Sequence, residues 1–296
     1  LALDTIISVP DAFKDPYSFE EIITLHNSVS GTVNPVFNLS KINFIEPYSL
    51  LGLLLFGRNY LRASGQKIAL SGIPFSIHQY LIRMDFFKKN IFHVVEQLDP
   101  KYFLKRNSVS RNLIEITEIP TKERQSISVI TGIIALFRKR ADHILKYWVS
   151  TSIIDYFVTV ISEICQNIFE HSLDSGYLAM QTYSMGTSQI ARLVIADSGI
   201  GIRESFTGKK EIAAESNAKL IEMVLTTPLS SKREMGYGLC QVNAIMEKLN
   251  GSIFIRSHDS SLSIVYNRKP GSIPRVFLQN ELTPFPGTQI SLTLTN

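Results

Sequence analysis

Glu163, Asn167, Glu170 and His171 recur at i, i+4, i+7 and i+8, so one helix face would carry two carboxylates, an amide and an imidazole. An Asn oxygen suits Mg2+, a hard cation that takes oxygen ligands and retains waters. A carboxylate one turn away, Glu163, is placed to orient or deprotonate a nucleophile. Phe157, Ile161, Ile164 and Ile168 fall on a different face, which should meet a sheet. The stripe alone therefore also reads as the wet side of an amphipathic helix.

Two glycine turns follow. Asp197-Ser-Gly199-Ile-Gly201 ends the apolar run 193–196. A carboxylate at a strand end can accept a hydrogen bond from an exocyclic amine, and glycines let backbone approach a flat ring closely. Asp-Ser-Gly is also a common turn. Gly236-Tyr-Gly238-Leu239 precedes a helical pattern. Glycines there leave backbone N–H groups free for phosphate at a helix N-terminus, and Lys232 and Arg233 just before them could offset its charge. The other reading is a flexible connection with a solvated basic pair. No Gly-Lys-Ser/Thr follows, so this is not a Walker A loop, and a dinucleotide fingerprint would follow a strand directly. In this order, the three segments suggest a purine-nucleotide site with a magnesium ligand.

The elements that must position these residues divide the chain. In the first hundred residues, strands at 36–39 and 67–70 alternate with helices at 49–63, ended by Ser-Gly at 64–65, and 74–84, which implies parallel pairing in an α/β domain. The polar, basic stretch 101–111 reads as a linker. Beyond it come a strand at 112–119, helices at 125–143 and 151–172, strands at 177–183 and 189–196, a helix near 213–225 and a helix at 239–249 stopped by Asn250-Gly251. Strands follow at 251–257, 262–267 and 288–294. Sequence-adjacent strands imply a mixed or antiparallel sheet with helices on one face, a two-layer α/β sandwich.

Bulk composition narrows the classes. The 296 residues are 45% hydrophobic and 19% charged, a globular composition with ample material for a core. A net charge of +4 without a dense basic stripe does not argue for nucleic acid. Cys165 and Cys240 lie in apolar helical stretches and read as buried free thiols, which favours a reducing compartment. Residues 1–10 lack a basic n-region, and the apolar run 50–56 is too short to span a bilayer, so a cytoplasmic protein with neither signal peptide nor membrane partner is expected.

The three segments resemble the N, G1 and G2 boxes of the GHKL ATPase superfamily (gyrase, histidine-kinase and MutL type), and Pro286-Gly287-Thr288-Gln-Ile-Ser-Leu resembles its closing Gly-Thr strand. The resemblance covers roughly 112–296 and implies the Bergerat-type ATP-binding fold, with ATP and Mg2+ as ligands. It assigns Asn167 to Mg2+, Asp197 to the adenine amine, Gly199 and Gly201 to the adenine pocket, Gly236 and Gly238 to phosphates, and Thr288 to the adenine end. His171 and Leu239 fall within the same boxes. Residues 203–235 would be the ATP lid, with Lys209, Lys210, Lys232 and Arg233 near the phosphates.

The Glu-x-x-x-Asn-x-x-x-His form is similar to that of anti-sigma-factor serine kinases, in which the Glu is the presumed base. That implies a protein partner, a STAS-type or sigma-factor-related regulator, and allows a homodimer. Residues 36–53 resemble the strand, acidic-Ser step and Leu-rich helix of a STAS domain, which covers about 1–100. Glu46-Pro47 stands where that family has Asp-Ser; Pro cannot accept phosphate, and Ser49 lies two residues on. Two readings follow, a Ser/Thr kinase or slow ATPase in bacterial partner switching, and a non-catalytic ATP-gated binding module. A toxin–defence or nucleic-acid-linked ATPase is a third.

Overall fold

The computed structural model describes residues 5–9, 11, 13, 15–24, 34–96, 110–121, 127–146, 150–207, 215–229, 238–266 and 273–295. The chain divides into two compact units, Leu1–Val109 and Ser110–Asn296.

The first unit alternates β1 (Thr5–Ser8), α1 (Pro16–Thr24), β2 (Pro35–Asn38), α2 (Pro47–Ser64), β3 (Ala69–Ser71), α3 (Phe75–Arg83) and β4 (His93–Val94). The strands pair in parallel in the order β1-β2-β3-β4, as helical crossovers require. Glu46 caps the start of helix α2, its Oε1 accepting from the Ser49 backbone N–H at 3.1 Å, and the helix stops at Gly65 in the left-handed region, φ 71°. Ser49 is fully buried and its hydroxyl donates to Glu46 Oε1 at 3.4 Å, so it does not present an exposed hydroxyl near Pro47. Helix α1 was not foreseen.

In the second unit β5 (Leu113–Ile119) precedes two long helices, α4 (Ile127–Leu145) and α5 (Thr151–His171). The hairpin β6 (Gly176–Met185) and β7 (Ser188–Asp197) leads to the short α6 (Gly201–Ser205), α7 (Asn217–Thr226) and α8 (Gly238–Lys248). The chain closes through β8 (Ser252–His258), β9 (Ser260–Val265), β10 (Arg275–Gln279) and β11 (Phe285–Thr295). Among the described residues the strands form one antiparallel sheet ordered β10-β9-β8-β11-β7-β6-β5. Alternate residues supply its core face: Leu193 and Ile195 on β7, Ile253 and Ile255 on β8, Ile290 and Leu292 on β11. They share one core with Phe137 and Ile144 of α4, Phe157, Ile161 and Ile164 of α5, Ile221 of α7 and Val242 of α8.

Strand β10 was missed because its five residues are exposed and carry no inside-outside alternation. Cys165 is buried, and burial pushes its thiol up to about 12; Cys240, expected to be buried too, is half-exposed. The expected linker lies mostly outside the described residues. Among those residues no helix is long and apolar enough to cross a membrane.

Phe137 joins α4 to this core at 1% exposure and lies outside the cavity described below. Phe137→Ala should lower the unfolding free energy of the second unit by about 3–5 kcal/mol, read from urea melts.

Candidate functional site

Helix α5 owes its orientation to its apolar stripe. Ile154, Phe157, Ile161, Ile164 and Ile168 are buried against the sheet, which turns Glu163, Asn167, Glu170 and His171 toward a cavity of about 200 Å³. Its apolar walls are Ile164, Ile168, Ile195, Ile202, Phe206, Val224, Leu229, Leu239 and Ile290. Its polar groups come from Glu163, Gln166, Asn167, Glu170, His171, Ser172, Asp197, Ser205 and Thr288, with Gly201 and Gly238 at its margin. Of the residues singled out in the sequence, Glu163, Asn167, His171, Asp197, Gly201, Gly238, Leu239 and Thr288 line this one space. Lys209, Lys210, Lys232, Arg233 and Gly236 lie outside the described residues.

Asp197 ends β7 and is 4% exposed. Its Oδ1 accepts from the Ser172 hydroxyl at 2.7 Å and from the Gly199 backbone N–H at 2.7 Å, and the Thr288 backbone also bonds the carboxylate. Burial is the dominant influence and pushes the carboxyl up to about 6, against the lowering effect of Ser172, Gly199 and Thr288 and with a further rise from Asp174. Ser172, just past the end of α5, was not foreseen. Nothing in one sequence says that a hydroxyl after His171 meets a carboxylate twenty-five positions later.

Gly199 is absent from the cavity wall. A Cβ there would lie 1.9 Å from the Ser172 carbonyl oxygen, so this glycine allows the close approach of the Asp197 turn to the end of α5. Gly201 does border the cavity, at φ 77°. Within the expected lid, 203–235, the described residues include the end of α6 and all of α7, and Phe206, Leu220, Ile221, Val224 and Leu225 enter the core.

Glu163 and Asn167 meet the first residue of α8 at the other end of the cavity. A Cβ on Gly238 would sit 3.3 Å from Asn167 Nδ2, a tight contact, and 3.7 Å from Glu163 Oε2, an ordinary one. Among the described residues no hydrogen bond or ion pair engages the Glu163 carboxylate or the Asn167 amide. The first-turn N–H groups of α8 have no intrahelical acceptor. The cavity thus has an apolar middle, a buried acceptor at one end, and at the other an amide and a carboxylate beside a helix N-terminus.

Residues 153–294 match the model of the histidine kinase-, DNA gyrase B-, and HSP90-like ATPase family. The chain carries a GHKL-type ATPase domain there. No curated protein matches the chain. In the GHKL-type domain, α5, the Asp197 turn, the start of α8 and the start of β11 enclose the cavity.

Two outcomes test this geometry. Gly199→Ala should displace the Asp197 turn from Ser172 and lower the thermal midpoint, whereas Gly132→Ala, where a Cβ meets nothing within 4 Å, should not. Asp197 holds its proton to higher pH folded than unfolded, so the stability it contributes is present below about pH 4 and is lost as pH rises through about 6. Relative to wild type, Asp197→Asn should gain unfolding free energy across that window, by about 3 kcal/mol, and change no further above it. Urea melts at stepped pH read this directly.

Proposed function

We propose that the GHKL-type domain, placed at 112–296, binds Mg-ATP in this cavity and transfers the γ-phosphoryl group to a Ser or Thr hydroxyl of a protein partner, or slowly to water. The observation that carries the reading is the pairing of a buried carboxylate, Asp197, with an unengaged Glu163–Asn167 pair at the opposite end of one apolar cavity. Asp197, ionised at neutral pH, accepts from the adenine amine. Ile195, Ile202, Phe206 and Ile290 exclude water from the ring faces. The first turn of α8 at Gly238 and Leu239 receives the phosphates, with Gly236 and Lys232 as their proposed neighbours.

The residues present fit Mg2+. Asn167 offers an amide oxygen engaged by nothing else, and no cluster of three His, Cys, Asp or Glu is present among the described residues. One amide with phosphate oxygens and waters suits a cation that dehydrates reluctantly. When bound, Mg2+ would offset charge on the phosphates. Glu163 takes the proton of the attacking hydroxyl as its oxygen bonds to Pγ and the bond from Pγ to the bridging oxygen breaks, leaving ADP. His171, a turn beyond Asn167 on the same face, contributes to the polar wall of the cavity.

A second reading is a non-catalytic module in which ATP gates a protein contact made by a STAS-like unit at about 1–100, a partner-switching arrangement. It is favoured by one observation: Pro47 begins α2 and the hydroxyls of Tyr48 and Ser49 are buried, so residues 46–49 offer no exposed hydroxyl.

With γ-labelled ATP and Mg2+, wild-type protein should release labelled phosphate or label a protein. Glu163→Ala should slow this by about 10²–10⁴-fold while ADP affinity changes little. Label retained on ATP in both, with nucleotide bound, would favour the gated module. ADP affinity should fall as pH drops below about 6, where Asp197 takes up its proton. Asp197→Asn, compared by calorimetry at the same pH values so that phosphate titration cancels, should lack that loss.

A further inference from the structure

The base end of the cavity is built from two backbone segments that reach it from different strands. One is the turn 197–202 after β7; the other is the bend 286–288 where β11 begins. The register between β11 and β8 is irregular between Phe285 and Thr288, so Pro286 and Gly287 bulge out of the ladder. The bend therefore lacks the strand-to-strand bonds that would fix it.

Two buried side chains make good the loss. Ser257, 3% exposed and paired with Thr288 across the ladder, accepts from the Ile202 backbone N–H at 2.9 Å and donates to the Gly287 carbonyl at 3.4 Å. Gln289, 2% exposed, sends Nε2 to the Asp197 carbonyl at 3.0 Å and to the Pro286 carbonyl at 3.1 Å. Successive residues of a strand face opposite sides of a sheet, so Ser257 joins the segments on the cavity face beside Thr288 and Gln289 joins them from behind. Opposite Gln289 in the register stands Arg256, fully buried, which donates to the carbonyls of His258 at 2.5 Å and Thr283 at 2.6 Å and holds the chain entering the bend. The segments are in direct contact as well: a Cβ on Gly287 would lie 2.1 Å from the Asp197 carbonyl oxygen.

We infer that Ser257 and Gln289 are positioning residues for base recognition: together they set where the Asp197 carboxylate and the Thr288 backbone stand relative to a bound purine. Neither lines the cavity, so neither contacts the ligand. Their effect falls on the base end and leaves the Glu163–Asn167–Gly238 end, carried by α5 and α8, untouched. The inference rests on the ATP-binding reading above.

The test separates the two ends. Ser257→Ala and Gln289→Leu would be compared with wild type for ADP, GDP and inorganic tripolyphosphate affinity with Mg2+ by calorimetry, for KM and kcat with ATP, and for thermal midpoint. Each variant should bind ADP about tenfold more weakly, the loss of one or two buried hydrogen bonds. Each should lose part of the preference for ADP over GDP, whose ring presents a carbonyl where adenine presents its amine. Tripolyphosphate affinity and kcat at saturating ATP should stay within about twofold of wild type, since no bond to that end is removed. A parallel fall in ADP and tripolyphosphate affinity would mean general loosening and would overturn the positioning role while leaving the ATP-binding reading intact. Unchanged ADP affinity and base preference in a folded variant would overturn it equally. Wild-type protein that bound no adenine nucleotide would overturn the functional reading, and this role with it.

Discussion

A carboxylate in a protein interior is costly unless its lone pairs are met, and the site is arranged around meeting those of Asp197. Three donors reach it, from the Ser172 hydroxyl and the backbones of Gly199 and Thr288, and they come from three different parts of the chain. Even so, burial outweighs them and holds the carboxyl at about 6, close enough to neutrality that the group is ionised yet still an avid acceptor. The glycines follow from this. Gly199 lacks a Cβ because the turn presses on the Ser172 carbonyl, and Gly287 lacks one because the bend presses on the carbonyl of Asp197 itself. Both positions are set by backbone approaching backbone, a constraint that holds whether or not a ligand is present.

The two ends of the cavity rest on different supports. The acceptor end is tied into the sheet, where β7 and β11 run antiparallel over seven paired residues from Ala196–Gln289 to Ile190–Thr295. The other end stands on helix faces, with Glu163 and Asn167 on α5 opposite the first residue of α8. The sheet holds Asp197 in place, because moving it would break the ladder beneath it. Side chains on a helix face keep rotamer freedom until something engages them, and Glu163 and Asn167 are not engaged. In the proposed function that division would suit a rigid ring at one end and a chain of phosphates at the other.

What was legible in the sequence were features with a period or a punctuation mark. The stripe at 163, 167, 170 and 171 and the apolar face of Phe157, Ile161 and Ile164 follow helical spacing, and α5 is helical throughout. Gly65 and Asn250-Gly251 stopped their helices through left-handed conformations that few other residues adopt, at φ 71° for Gly65 and 51° for Asn250. Ser172, Ser257 and Gln289 were not legible. Each is a small or neutral polar residue at a position where local sequence permits many roles, and each is committed by a partner 25, 55 or 92 positions away. At Gly199 the sequence does not reveal which neighbour makes a Cβ intolerable, and the structure shows the Ser172 carbonyl there. Strand β10 escaped because pattern reading depends on one face being buried, and neither face of β10 is.

The segment between Asp197 and Gly238, in which the sequence implies a helix near 213–225, divides into parts with different tasks. Arg203 of α6 bonds the Glu215 carbonyl and the Asn217 side chain, and Asn217 in turn bonds Asp259 in the turn between β8 and β9. Asp259 is held below the usual carboxylate range by its Asn217 and Ser260 hydrogen bonds and by nearby His258, which outweigh its partial burial, so it stays an acceptor across the physiological range. This chain of bonds fixes the start of α7 to the sheet, and α7 delivers Val224 to the cavity wall while Leu220 and Ile221 enter the core. Ile202 and Phe206 arrive from α6 by the same anchoring. The apolar wall is therefore part of the folded core and stands before any ligand arrives. Moving Val224 out of that wall would expose the residues that hold α7 against the sheet.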